Sequence, residues 1–219
     1  MKACSKQQYC ENLQSLAAQA FAKHEIREMR DDGHRYALYQ RHAKGGWDSN
    51  MATEIIVIRG GLFVGGDSPD CIFRWFSDSS DPRQVIRWMG GHPTADDYVA
   101  GKASLGLGRE LTHLVDAEVA LYDLQYDLEH YEEDNGEPMK DSRRWEIERA
   151  IASLQASEEV EAVIREMYEN GIDSEWLCII GHVPSARVFY AHAAVRKLWT
   201  LMTDAVSDSP LTVGLGNGQ

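Results

Sequence analysis

The sequence predicts an α+β fold: a small antiparallel sheet preceded by an N-terminal helix and followed by a C-terminal helical hairpin plus one further helix. Three patterns carry that expectation. Short apolar runs punctuated by paired glycines occupy residues 35–76, apolar residues at three- and four-residue intervals precede them, and leucines at seven-residue intervals follow them. The organisation that results is a helix plus antiparallel-sheet domain over 1–108, a helical hairpin with a C-terminal helix packed on it over 109–206, and a flexible tail over 207–219.

The first helix is expected from Glu11 to about Asp31, because Leu13, Leu16, Ala17, Ala20 and Phe21 fall on one face and Asp32-Gly33 supplies a stop. Strands then run from Arg35 to Phe76, with the segment Ala43 to Asn50 as a loop between the first and second. The continuous apolar run Ile55 to Ile58 reads as a buried strand, Gly60-Gly61 as a turn, and Leu62 to Val64 as the returning strand. Gly65-Gly66-Asp67 frees the backbone at the strand end before Cys71 to Phe76 resumes the pattern. Pro82 suits the first turn of a short helix, Arg83 to Met89, capped by Asp81 and stopped by Gly90-Gly91; a second short helix starts near Thr94-Ala-Asp-Asp97.

Beyond residue 110 the chain is expected to be helical. Leu114, Leu121 and Leu128 repeat at seven residues, with Ala117, Leu124 and Tyr131 three after each, which makes an apolar seam. A turn at Glu133 to Pro138 leads into a helix from Asp141 or Ser142 with Ile147, Ile151, Leu154, Val163, Ile164 and Met167 inward, closing a hairpin over roughly Glu110 to Tyr168. Such a seam also suits burial against a second copy, so a homo-oligomer is expected. The last helix, Ser185 to Ala205, presents Val188, Phe189, Ala193, Val195, Leu198, Trp199 and Met202, and Leu211 to Gln219 is a Gly-rich tail.

Composition bounds the function. The chain has 219 residues, 43% of them hydrophobic, enough to bury a core, and no apolar stretch of membrane-spanning length or signal-peptide type is present. A soluble cytosolic protein is expected, with Cys4, Cys10, Cys71 and Cys178 as reduced thiols. With 35 acidic against 22 basic residues the net charge is −13, which disfavours direct binding of nucleic acid through phosphate neutralisation. Between Glu110 and Glu137 there are ten Asp or Glu and no Lys or Arg.

Catalytic and metal motifs are missing. No HExxH, GxSxG or CxxC spacing occurs, and Cys71 and Cys178 sit in apolar surroundings that suit packing. His113 with Asp116 and Asp127 with His130 pair on a helix face, but one helix would hold the two pairs about 25 Å apart, so they cannot share a metal. The expectation is a protein that is not an enzyme and uses no cofactor or metal.

Binding-type residues concentrate in the sheet region: His34, Arg35, Arg59, Asp67, Arg74, Trp88, His92, Tyr98 and Lys102, with Arg83 and Arg87 adding local positive charge. Arg and Lys suit phosphate, and Trp and Tyr suit stacking on a base, so as a group they point to a nucleotide-like anion. The plainer alternative is that arginines and tryptophan pack along a small sheet. The glycine pairs at 60–61 and 65–66 match neither GxGxxG nor a Walker motif, which favours tight turns, and Asp67 suits a turn better than a ligand.

The segments His34-Arg35-Tyr36, Glu54 to Asp67, Ile72-Phe73, and His92-Pro93 followed by Tyr98 and Lys102 together resemble an uncharacterised family of tailed-phage and prophage accessory proteins. The chain departs from that pattern where Arg59-Gly60 stands for Trp-Pro, His92-Pro93 for Asn-Pro, and Val99 for Trp. The resemblance covers about a third of the chain and implies a phage-encoded protein of the host cytoplasm, without importing an activity. The function expected is counter-defence by sequestering a small nucleotide-like signal of the host. The alternative is an acidic inhibitor whose carboxylates mimic nucleic acid in the basic groove of a host nuclease or immune effector, unless Lys140, Arg143, Arg144 and Arg149 neutralise that face from within.

Overall fold

A computed structural model describes residues 2–29, 34–41, 45–67, 70–74, 81–105 and 113–207. The fold is α+β: an N-terminal helix, an antiparallel sheet, then helices. Helix α1 (Lys6–Phe21) begins at Ser5, whose hydroxyl accepts from the Gln8 amide at 3.2 Å. Six strands follow: β1 (His24–Met29), β2 (Arg35–Arg41), β3 (Trp47–Ile58), β4 (Gly61–Gly66), β5 (Cys71–Arg74) and β6 (Ala103–Leu105). They lie in the sheet in sequence order, every neighbour antiparallel.

Strand periodicity sends alternate residues to opposite faces. One face carries Tyr36, Leu38, Ile55, Val57, Leu62, Val64, Cys71 and Phe73, all buried. They meet α1, helix α2 (Pro82–Gly90), helix α3 (Asp97–Lys102) and the C-terminal helix α8 (Ala186–Ser207) in one core with Phe21, Ile86, Met89, Val99, Phe189 and Leu198. Helices α2 and α8 approach closely because Gly90 has no side chain: a Cβ there would lie 2.6 Å from Trp199 Cβ.

The second core belongs to α4 (Ala117–Asn135), α5 (Asp141–Gln155), α6 (Val160–Glu169) and α7 (Ser174–Leu177). Leu121 and Leu124 of α4 pack with Ile147, Ala150 and Leu154 of α5 and with Val163 and Met167 of α6. Asp116 caps α4 by accepting from the Glu118 and Val119 amides, and Gly136 ends it in the left-handed region at φ 73°. Arg143 ties the unit together: its guanidinium lies 4.5 Å from the Trp176 ring and 4.9 Å from the Tyr131 ring, and pairs with Asp127 at 3.3 Å. A two-stranded ribbon of β7 (His113–Val115) and β8 (His182–Pro184) leads into this unit and out of it. Gly181, at φ 67°, closes the crossing, where a Cβ would lie 2.8 Å from Ala120 Cβ.

Several expectations are corrected. The first helix stops at Phe21, and the stretch expected to continue it is β1, an edge strand whose conformation comes from pairing with β2 rather than from its own polar sequence. The loop expected over 43–50 is partly strand, because Trp47 and Asp48 pair with Arg41 and Gln40. The second short helix does start within the Thr94-Ala-Asp-Asp97 stretch, at Asp97, where Asp96 accepts from Val99 N at 3.1 Å. Leu114 is not in the helical seam: it lies in β7 and is 44% exposed. One expected helix after Asp141 is two, broken where Ser157 takes φ 68°. The last helix, expected on the hairpin, instead places its buried residues in the sheet's core, and the leucine seam is filled by α5 and α6 of the same chain. The Asp32-Gly33 stop, Trp75-Phe76 and the tail over 208–219 lie outside the described residues.

His192 is fully buried on α8, with Nε2 3.2 Å from the Met89 carbonyl and Nδ1 without a hydrogen-bond partner among the described residues. Burial, then the nearby Arg196 charge, pushes its pKa down to about 4. A neutral ring in the folded state and an ordinary one in the unfolded state make its contribution complete above about pH 6.5 and lost as pH falls toward 4. Stability is expected to fall by about 3 kcal/mol over that interval on this account. Urea melts between pH 7 and 5 check it, since a His192→Asn variant with the same slope would remove the cause. Leu121→Ala is expected to lower stability by about 2–5 kcal/mol, and an unchanged denaturation midpoint would contradict its place in the second core.

Candidate functional site

Among the described residues, the helices that pack into the sheet's core lie on one face of the sheet, and the opposite face is the candidate site. Register places Arg35, Ile56, Phe63, Ile72 and Ser104 side by side across β2 to β6. None of the three apolar members belongs to the sheet's core, and Ile72 is 36% exposed. The next row toward the rim is Ile58, Gly61 and Arg74, with Ile58 39% exposed. On the other side of the apolar row lie Ala37, Glu54 and Gly65. The Phe63 ring leans over Gly65, where a Cβ would lie 2.6 Å from Phe63 Cζ and 2.8 Å from an Asp70 carboxylate oxygen.

The antiparallel meander brings basic residues from distant sequence positions to one rim. β2 begins, β3 ends, β4 begins, β5 ends and β6 begins at the same end of the sheet, so His34, Arg35, Arg59, Arg74 and Lys102 gather there. The ladder extends to His34, whose carbonyl accepts from Val57 N at 2.8 Å. Arg59 and Gly60 form the two-residue turn between β3 and β4, with Gly60 at φ 79°. Arg35 is ion-paired with Glu54. Arg59 and Arg74 make no ion pair among the described residues. A groove of about 370 Å³ adjoins the rim at β1 and β2, lined by Arg27, Glu28, Met29, Arg35 and Ala37. Arg27, the extra residue of a bulge in β1, lies 4.6 Å over the Tyr39 ring.

The other expected residues separate. His92 and Tyr98 are 5.0 Å apart ring to ring, and Lys102 Nζ sits 5.3 Å from the Tyr98 centroid, a cluster beside the β6 end of the rim. Trp88 is half-buried on α2 against the sheet's core. Asp67 is at the far end of β4, where it exchanges bonds with Ala52: the Asp67 amide donates to Ala52 O at 2.8 Å and the Ala52 amide donates to Asp67 Oδ2 at 3.2 Å. That is the turn-closing role. Arg83 and Arg87 are exposed on α2, in the helical layer and away from the open face.

Sequence reasoning missed Ile56, Phe63, Ile72 and Arg27. The run Ile55 to Ile58 reads as buried on both faces, whereas only Ile55 and Val57 are buried. The clue available was Arg35, Glu54 and Arg74 at positions that alternate with buried residues on neighbouring strands.

Cys71, Asp123 and Asp127 are sealed or used structurally. Burial pushes the Cys71 thiol up to about 12, leaving it protonated in the core. On α4, burial raises the pKa of Asp123, which accepts from Gly181 N at 2.8 Å, and burial likewise raises that of Asp127 against the pull of Arg143. His113 is in a strand and not on the helix with Asp116, and His130 stacks 4.2 Å from Tyr126. His113 and Asp116 therefore do not share a helix, whereas Asp127 and His130 both lie in α4, and no group of three or more His, Cys, Asp or Glu able to hold a metal occurs among the described residues. No helix among them is long and apolar enough to cross a membrane. Comparison with protein-family models, with curated proteins and with solved structures found no match to the chain.

Thiol titration of the native protein separates these environments. Cys178 is exposed and is expected to react rapidly with an aromatic disulfide reagent, a signal that Cys178→Ser removes, while Cys71 reacts only on unfolding. Rapid native modification of Cys71 would contradict its burial.

Proposed function

We infer that the chain is a non-catalytic binding protein that holds a small nucleotide-like anion on the open face of its sheet. The observation that carries this is the placing of Arg35, Arg59 and Arg74 toward one end of the sheet beside the row Ile56, Phe63 and Ile72, of which Ile56 and Phe63 are half-buried and Ile72 is exposed. Guanidinium groups recognise phosphate through paired N–H donors, and an aromatic and aliphatic surface accepts a base by stacking. The adjoining groove, about 370 Å³, is of ligand-binding size. Binding rather than catalysis is favoured because Cys71 and His192 are both sealed in the core. The resemblance of the segment 34–102 to phage accessory proteins makes sequestration of a host signal, in the host cytoplasm, the biological setting that we propose.

A second reading has one observation in its favour. On α4, Tyr122, Tyr126 and His130 stack along an exposed face, with Tyr122 and Tyr126 6.3 Å apart, next to exposed Glu129, Glu132 and Glu133. That surface suits a basic protein partner. Asp116, Asp123 and Asp127 are committed to a cap, a backbone bond and Arg143 within the chain, which leaves less charge for mimicry of nucleic acid.

Arg74→Ala is expected to weaken binding of a fluorescent adenine nucleotide by about 1.5–3 kcal/mol, with the melting temperature unchanged. Equilibrium binding of the wild type and of Glu129→Gln/Glu132→Gln/Glu133→Gln completes the comparison. Loss of function in that acidic variant alone would transfer the site to α4.

A further inference from the structure

We propose that the ligand is a nucleotide unit bearing phosphate on both sides of its ribose, as in a short free oligonucleotide, with its base stacked on Phe63. This rests on the nucleotide reading above and adds the size and orientation of what is bound. The positive charge on the open face is divided. Arg35 stands on β2 and Arg74 on β5, three strand spacings apart, about 14 Å between backbones. Arg35 cannot swing across that gap without giving up Glu54. Arg59 is at the β3–β4 turn, nearer to Arg74. Two anionic groups on either side of a central platform match this arrangement better than a single terminal phosphate.

The platform between them is aromatic and aliphatic. Phe63 occupies the middle of the row, flanked on its two neighbouring strands by Ile56 and Ile72. Its ring rests over Gly65 because no side chain there lifts it off the sheet. An aromatic ring lying along an antiparallel sheet is a stacking surface for any base. Polarity orients the ligand. Arg59 and Arg74 mark the rim, whereas Glu54, with Arg35 paired to it, and Asp70 lie on the opposite side of Phe63. The phosphate held by Arg74 therefore faces the rim, the second lies at Arg35, and an exocyclic amine of the base faces the Asp70 carboxylate, which accepts its hydrogens.

The occupant is a free small ligand and not a long strand, on grounds of charge. A chain of net charge −13 repels an extended polyanion, while two phosphates need only the local cations.

Calorimetric titration with adenosine 3′,5′-bisphosphate, 5′-AMP and a 20-mer of deoxythymidylate tests this. The bisphosphate is expected to bind at least about tenfold more tightly than 5′-AMP, the return on a second charge-assisted contact. Arg35→Gln and Arg74→Gln should each erase that preference. Phe63→Leu should weaken both adenine ligands by about 5- to 100-fold, and lies outside both cores, so its melting curve should match the wild type. Equal affinity for 5′-AMP and the bisphosphate would overturn the two-phosphate proposal while leaving the nucleotide reading in place. Absence of binding to either would overturn both. Phe63→Leu without effect would overturn the stacking geometry, and a 20-mer that outcompetes the bisphosphate would overturn the free-ligand assignment.

Discussion

One-sided burial of the sheet is the constraint on which the rest of the structure depends. Helices α1, α2, α3 and α8 all put their apolar residues into a single core with the inward residues of β2 to β5. Because successive strand residues alternate between faces, covering one side decides the exposure of every residue on the other. Phe73 is buried and its neighbours Ile72 and Arg74 are exposed for that reason alone. A one-residue slip of β5 would exchange them, so the hydrophobic core also sets the register that lines up the open face.

The helical unit of α4 to α7 has a core of its own and is tied into the chain by the β7–β8 ribbon. Its acidic helix is less exposed in charge than its composition suggests. Arg143, held between Trp176 and Tyr131, draws Asp127 inward, and the Gly181 amide draws Asp123. Both carboxylates are raised in pKa because burial outweighs the partners that favour ionisation. These acids organise the interior of the unit, leaving the later turns of α4 and the stacked Tyr122, Tyr126 and His130 as its outward surface.

The net charge of −13 is unevenly distributed in space. The acids concentrate on α4 to α6, whereas the rim of the sheet collects His34, Arg35, Arg59, Arg74 and Lys102. Screening over about 8–10 Å makes the local arrangement decide which anions are attracted. Arg35 is partly neutralised by Glu54 and the Lys102 ammonium lies near the Tyr98 ring, so Arg59 and Arg74 are the cations most available to a ligand.

The sequence by itself determined the fold class, the Pro82 helix start with its Asp81 cap, the buried Leu121 and Leu124, and the C-terminal helix, because each is a local pattern of capping or apolar spacing. It also marked Arg35, Arg59, Arg74 and Lys102 as binding-type residues. Tertiary structure decided the rest. β1 is a strand only because β2 pairs with it, and its polar sequence holds no such instruction. Ile56, Ile58 and Ile72 look like core residues until the helices among the described residues are seen to pack on the other face. Asp67 and Trp88, close in sequence to the rim residues, are placed at the far end of the sheet and in the helical layer. Proximity in an antiparallel meander depends on register and strand direction, and those follow from how the whole apolar face is buried rather than from any local run of residues.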